Sequence, residues 1–157
     1  MVSQVKIKRV GIIGAGVCDQ ETYETAEAVG RLVAERGGVV YCGGLGGVME
    51  AACKGAVSAG GICVGILPGF KASDANPYVT IPVITGMSHA RNVVLVRSSQ
   101  VLIAISGSHG TLSEIALGLK MWKPVIGLKT WDHIEGVHYV ETPQEAVKKA
   151  FEMIENS

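Results

Sequence analysis

Aromatic side chains are scarce in this chain, only 5% of its 157 residues, and its formal net charge is zero, from 14 basic and 14 acidic side chains. The balanced charge excludes the electrostatic footprint of a nucleic-acid or anionic-membrane binder. No run approaches the ~18 consecutive apolar residues of a membrane span. There is also no CxxC pair: Cys18, Cys42, Cys53 and Cys63 are separated by 24, 11 and 10 positions. A chain of this length buries about two-thirds of its surface on folding, so it needs no staples. The cysteines therefore read as small buried hydrophobes in a reducing compartment, and no metal site is expected. Lys6, Lys8 and Arg9 precede an apolar run over 10–17, but no small-x-small cleavage site follows. That run reads as a first buried strand, and the protein as cytoplasmic.

Glycine, by contrast, is abundant: 21 residues, roughly twice the average share. With 48% apolar and 18% charged residues, disorder is excluded. Short β-branched runs over 5–13, 39–42, 62–67, 101–105 and 124–128 alternate with longer helical patterns. Weaker strand signals lie over 79–84 and 137–140. Helices are expected over 21–36, 48–59, 90–98, 111–121 and 143–155. The first carries a stripe of Tyr23, Ala26, Val29, Gly30 and Val33 and stops at Gly37-Gly38. The last opens with Thr142 as N-cap, Pro143 at N1 and Glu145 completing a capping box. Such alternation gives βαβ units, and strands apolar on both faces need helices on both sides. The expected fold is a single α/β domain over 1–157, a doubly wound, Rossmann-like parallel sheet.

In such sheets ligands sit beyond the carboxyl ends of the strands. Three glycine clusters fall there: Gly14-Ala15-Gly16, the run Gly43-Gly44-Leu45-Gly46-Gly47, and Gly107-Ser108-His109-Gly110. The first puts Asp19 where a dinucleotide fingerprint has its third glycine, and the second strand ends in Tyr41-Cys42-Gly43 without the acidic residue a ribose needs, which excludes NAD. No GxxxxGK[ST] motif is present either. The second cluster packs four glycines into five positions, more than turn-making requires, and suggests backbone N–H groups cradling a phosphate. In the third, Thr111 and Glu114 have capping-box spacing. Yet Leu112, Ile115, Ala116 and Leu119 read as the core stripe, with Glu114 roughly 160° away from it and facing the ligand edge. Capping and catalysis both remain open for Glu114. Arg91, one of five arginines, heads an apolar helix after Met87-Ser88-His89 and is a candidate phosphate clamp.

GGLGGVMEAACKGA, AGGICVGILPG followed by NPY, TGMSHARN and SGSHGTLSEIALGLK, in that order, resemble the LONELY GUY (LOG) superfamily, long mislabelled lysine decarboxylases. They resemble especially its branch that includes molybdenum cofactor carrier proteins. The resemblance implies a phosphoribohydrolase, cleaving the N-glycosidic bond of a nucleoside 5′-monophosphate, with Arg91 and Glu114 as the catalytic pair. The carrier branch implies instead a protein that binds molybdenum cofactor, an intact phosphorylated pterin, without catalysis. The family's PGGxGTxxE motif matches at Gly107, Gly110, Thr111 and Glu114, with Ser106 and Ser108 as departures; its HxRK segment matches at His89 and Arg91, with Asn92 in place of lysine. Pyridoxal phosphate is excluded, since no lysine falls in the glycine loops to form a Schiff base.

The ligand site is thus expected to comprise Gly14, Gly16, Gly43, Gly44, Gly46, Gly47, Met87, His89, Asn92, Gly107, Ser108, His109, Gly110 and Thr111, with Arg91 and Glu114, the arginine helping to keep the carboxylate ionised. No metal or resident cofactor is required. The partner is a phosphorylated small molecule, not nucleic acid or membrane. Leu117 and Met121 are expected on the side of their helix away from the core, beside Trp122; the cover is either a second subunit, giving a homodimer or homotetramer, or the connection after Leu128 that carries Trp131.

Overall fold

The fold is that of a computed structural model, which describes residues 6–157. Seven strands form one all-parallel sheet in the order β4-β3-β2-β1-β5-β6-β7. They are β1 (Arg9–Gly14), β2 (Val39–Cys42), β3 (Cys63–Leu67), β4 (Ile81–Ile84), β5 (Val101–Ile105), β6 (Val125–Leu128) and β7 (Val137–Val140). The helices are α1 (Gln20–Glu35), α2 (Val48–Ser58), α3 (Arg91–Ser98), α4 (His109–Lys120) and α5 (Pro143–Glu155). From β1 in the middle of the sheet the chain winds outward through β4, then returns to β5 beside β1 and winds the other way. The doubly wound expectation is met, with the switch point between β1 and β5. No helix among the described residues is long and apolar enough to cross a membrane.

Strand sequences explain the two layers. Along β1 and β5, Val10, Ile12, Ile103 and Ile105 enter one core, while Ile13, Leu102 and Ala104 enter the other. Helices α1, α2 and α5 supply the first core, and α3 and α4 the second. Both VLIAI of β5 and CVGIL of β3 are buried throughout, as strands covered on both faces must be. At the carboxyl terminus, Thr142 accepts from the Glu145 N–H at 3.1 Å, and the Glu145 carboxylate accepts from the Glu141 N–H at 3.1 Å. The expected cap is present, reaching back one residue further than a simple box.

Five expectations change. The first strand begins at Arg9, with Lys8 contributing only its carbonyl, which accepts from the Val39 N–H at 2.8 Å; residue 5 lies outside the described residues. Helix α4 begins at His109, two residues early, so Ser108 is its N-cap and Thr111 and Glu114 make no capping box. Its buried residues are Thr111, Glu114, Ile115 and Gly118, whereas Ala116 is exposed and Leu112 and Leu119 are only half-buried. Gly118 explains the rotation: a Cβ there would lie 2.6 Å from Leu102, so the smallest residue marks the closest approach to the sheet. Leu117 and Met121 accordingly pack in part against the second core instead of pointing away from it. Finally, Cys53 and Cys63 are joined in a disulfide. The cysteines are therefore not simply small hydrophobes, and the argument from them for a reducing compartment does not hold.

Much of the glycine content serves packing. Helices α1 and α2 lie in backbone contact: a Cβ on Gly30 would strike the carbonyl of Ala52, and one on Gly55 the carbonyl of Glu27. Neither neighbour is a side chain that could swing aside. Gly55→Ala should therefore destabilise the protein by about 1–3 kcal/mol, the usual cost of overpacking, read as a lower denaturant midpoint with an unchanged m-value. An unchanged midpoint would show that the two helices part without cost.

Candidate functional site

At the carboxyl edge, next to the switch point, lies an open cavity of about 160 Å³. It is lined by residues from three places: Gly14 at the end of β1, Gly16 on the loop after it and Met49 on α2; His89, Arg91 and Asn92 where a single 3-10 turn (Ser88–Ala90) runs into α3; and Ser108, Gly110, Thr111 and Glu114 at the start of α4. A larger cleft of about 700 Å³ sits at the opposite, amino-terminal edge of β6 and β7, among Leu119, Trp122, Gly136, His138 and Met153. We assign the site to the smaller cavity. The strand ends, the helix N-termini and the buried charges all converge there.

Two helix N-termini approach the site, and they differ. At α2, the Val48 N–H already donates to the carbonyl of Ala15 at 2.9 Å. Gly47 precedes it with φ +62°, and a Cβ there would collide with that same carbonyl. Gly43 is required because a side chain would strike the Arg91 guanidinium and come within 2.6 Å of Met49 Sδ. Gly43 and Gly47 are thus required by internal packing. Gly43, Gly44, Gly46 and Gly47, expected to cradle a phosphate, do not line the cavity. At α4, Ser108 gives no side-chain cap, which leaves the first-turn N–H groups without that partner beside the cavity.

The remaining glycines sharpen this picture. Gly110 has nothing within 4 Å of an added Cβ, and Gly16 meets only Met49 Cε at 3.9 Å; neither has a positive φ. Folding does not demand glycine at either position, yet both lie on the cavity wall. Gly107 is different, with φ +114° and Thr111 in the way of any side chain, so it shapes the turn and stays outside the lining.

Two charges sit beneath the cavity. Arg91, 9% exposed, heads α3, and its Nε is buried with no hydrogen-bond partner. Glu114, 7% exposed, lies one turn into α4 on the inward face. Burial pushes its carboxyl up to about 7, against a smaller opposing pull from Arg91. Burial likewise pushes the Arg91 guanidinium below its ordinary value, and Glu114 only partly restores it. No ion pair within 4.0 Å joins the two. The expectation that Arg91 keeps Glu114 ionised is therefore corrected: desolvation outweighs the attraction. With the carboxyl pushed up by burial and the guanidinium left without a full counter-charge, the pair favours an incoming anion.

Met87 and His109 are also outside the lining. Met87 is exposed, and its N–H donates to Thr85 Oγ1 at 3.1 Å. His109 turns toward the connection after β6, its ring 5.9 Å from that of Trp131, whose Nε1 donates to the Ser108 carbonyl at 3.0 Å. Asp19 is the N-cap of α1, accepting from the Thr22 N–H at 2.8 Å, and Glu50 accepts from Tyr23 Oη at 3.1 Å. The one lining residue that sequence reasoning missed is Met49; it read as part of a helix's apolar content, with no polar atom to mark it.

The model of the SLOG cluster4 family matches residues 7–155. The chain belongs to the SLOG cluster4 family. This SLOG protein is 52% identical over 143 residues to an uncharacterized protein of Archaeoglobus fulgidus, covering 91% of this chain and 94% of that one. Among solved structures, it is similar to the molybdenum cofactor binding protein of Rippkaea orientalis, with TM-score 0.89, 33% identity, and coverage of 96% of this chain and 99% of that one. It is also similar to the molybdenum cofactor carrier protein of Chlamydomonas reinhardtii, with TM-score 0.86, 30% identity, and coverage of 96% and 99%. Of the two branches its motifs resemble, these structures fall on the carrier side.

The buried carboxyl of this SLOG protein gives a sign-definite test. Its folded pKa is raised from 4.5 to about 7, so the native state holds a proton that the unfolded chain releases between those values. That contribution is fully present below about pH 4.5 and is lost as pH rises through 7, on the order of 3 kcal/mol in total. Glu114→Gln should remove this loss, making the variant more stable relative to wild type at pH 8 than at pH 5 in chemical denaturation. An equal difference at both pH values would mean that Glu114 is ionised and paired in the native state.

Proposed function

We propose that this protein binds molybdenum cofactor through its phosphate and carries it intact. The observation that carries the reading is the uncapped N-terminus of α4 facing a buried guanidinium with an unpartnered Nε. Backbone N–H groups and one under-compensated cation are what a phosphate monoester needs. Gly16 and Gly110 leave the wall bare, so the ligand can lie against backbone. The cavity itself is small beside a pterin, but it is open, so the phosphate end can lie within it and the rest along the carboxyl edge. The similarity to two cofactor-binding structures over nearly the whole chain supports the same choice of ligand.

The second reading is hydrolysis of a nucleoside 5′-monophosphate, and one observation favours it. A carboxyl held near pH 7 beside an arginine is an arrangement suited to protonating a leaving base. Against it, Asn92 stands where the hydrolase motif has lysine, and Ser108 where it has glycine.

Cofactor released from a molybdoenzyme, incubated with the protein and passed through a sizing column, should leave molybdenum with the protein at one equivalent per chain or less. Gly110→Val should abolish that co-elution at unchanged thermal midpoint, and Arg91→Ala should weaken it at least ~10-fold, as expected for a lost charge-assisted bond. A panel of nucleoside monophosphates should release no free base. Base release that disappears in Glu114→Gln, with no cofactor retained by wild type, would establish the hydrolase instead.

A further inference from the structure

Three of the four cysteines meet at one point in the core, arriving from three elements. Cys42 closes β2, Cys53 lies on α2 and Cys63 opens β3, and all three are 0% exposed. Besides the Cys53–Cys63 bond, Cys42 Sγ lies 3.4 Å from Cys53 Sγ and 3.8 Å from Cys63 Sγ. Space-filling by small hydrophobes does not call for sulfur against sulfur; the rest of this core is made of alanine, valine, isoleucine and leucine with Met49 and Phe151. The Gly44 N–H donates to Cys42 Sγ at 3.3 Å, the kind of outer-shell bond that steadies a metal-bound thiolate.

We propose that, once the Cys53–Cys63 bond is reduced, Cys42, Cys53 and Cys63 bind one soft monovalent cation, Cu(I), in a trigonal sulfur site. A metal–sulfur bond of about 2.3 Å places three sulfurs around a planar centre about 4 Å apart. The two separations from Cys42 are already close to that, and reduction frees Cys53 and Cys63 to part. The donor set excludes hard cations, which take oxygen ligands. Zinc in a structural site takes four ligands, and among the described residues the metal-ligating cluster has three members. A cluster with excess negative charge also has a cation at hand, since the guanidinium of Arg91 lies against Gly43, the next residue after Cys42. None of the three cysteines lines the phosphate cavity, so this inference stands or falls separately from the proposed function.

The chemistry balances with a dithiol reductant. It delivers two electrons and two protons, the Cys53–Cys63 bond breaks to two thiols, and the reductant leaves as its own disulfide. Cu(I) then enters without a change of oxidation state: copper–sulfur bonds form, S–H bonds break, and one proton passes to solvent for each thiolate made.

The test uses the full chain, reduced with a dithiol, freed of it without air, and titrated with Cu(I) against a chromophoric copper(I) chelator. Reduced wild type should withdraw one equivalent and show three sulfur neighbours by X-ray absorption, while the oxidised protein withdraws none. Cys42→Ala should lose the equivalent and Cys18→Ala should keep it. Cys42→Val, which fills the space, serves if the alanine variant fails to fold by circular dichroism. Copper left with the chelator by reduced wild type would overturn the proposal. So would a full equivalent bound by folded Cys42 variants, or preferential uptake of zinc from an equal mixture.

Discussion

The adjacency of β1 and β5 is the constraint on which the site depends. Because β1 lies in the centre of the sheet and the strand order reverses between it and β5, the loops after both strands must rise on either side of one crevice. Gly14 makes the join possible. A Cβ on it would strike the carbonyl of Ile105 and lie 2.7 Å from Val48, so only glycine lets β1, β5 and α2 meet this tightly. From that contact the rest follows: α2 closes over the loop after β1, α4 starts beside it, and α3 brings Arg91 in from below.

The electrostatics follow from the same crowding. Arg91 and Glu114 are brought into one low-dielectric region by helices anchored in the core through Leu95, Val96 and Ile115, and the Arg91 Nε is left without a partner. A protein that needed only to fold would gain by replacing both with apolar groups of similar size. Retaining an orphaned donor and a carboxyl pushed to about 7 leaves a site that is unsatisfied until an anion arrives. The uncapped start of α4 supplies the matching donors, with no basic side chain needed above the cavity.

How much of this was legible in the sequence depends on which residues carry the signal. The alternation of runs such as VLIAI with amphipathic helices gave the doubly wound sheet, since burial on both faces leaves a continuous apolar strand. Glycine was harder to interpret, because the letter does not say whether the missing Cβ admits a ligand, a helix or a positive φ. Gly43 and Gly47 serve the fold, and Gly16 and Gly110 are left free on the cavity wall. On α4 the inward face is made of Thr111, Glu114 and Gly118 as much as Ile115, so counting apolar residues rotated the helix wrongly and put Glu114 outside the core. The meeting of Cys42 with Cys53 and Cys63 could not be read from separations of 11 and 10 residues, because it is made by three elements stacking.

The central claim is that the first turn of α4, with Arg91 beneath it, receives the ligand's phosphate. Backbone amide NMR during titration with a pterin phosphate or the cofactor itself tests this most directly. The account predicts that the largest shifts fall on His109, Gly110 and Thr111 and on Gly16 across the crevice, with the Arg91 Nε–H signal moving in step. Shifts centred on Gly136 and His138 at the far edge of the sheet, or on Gly46 to Val48 with α4 unmoved, would contradict it.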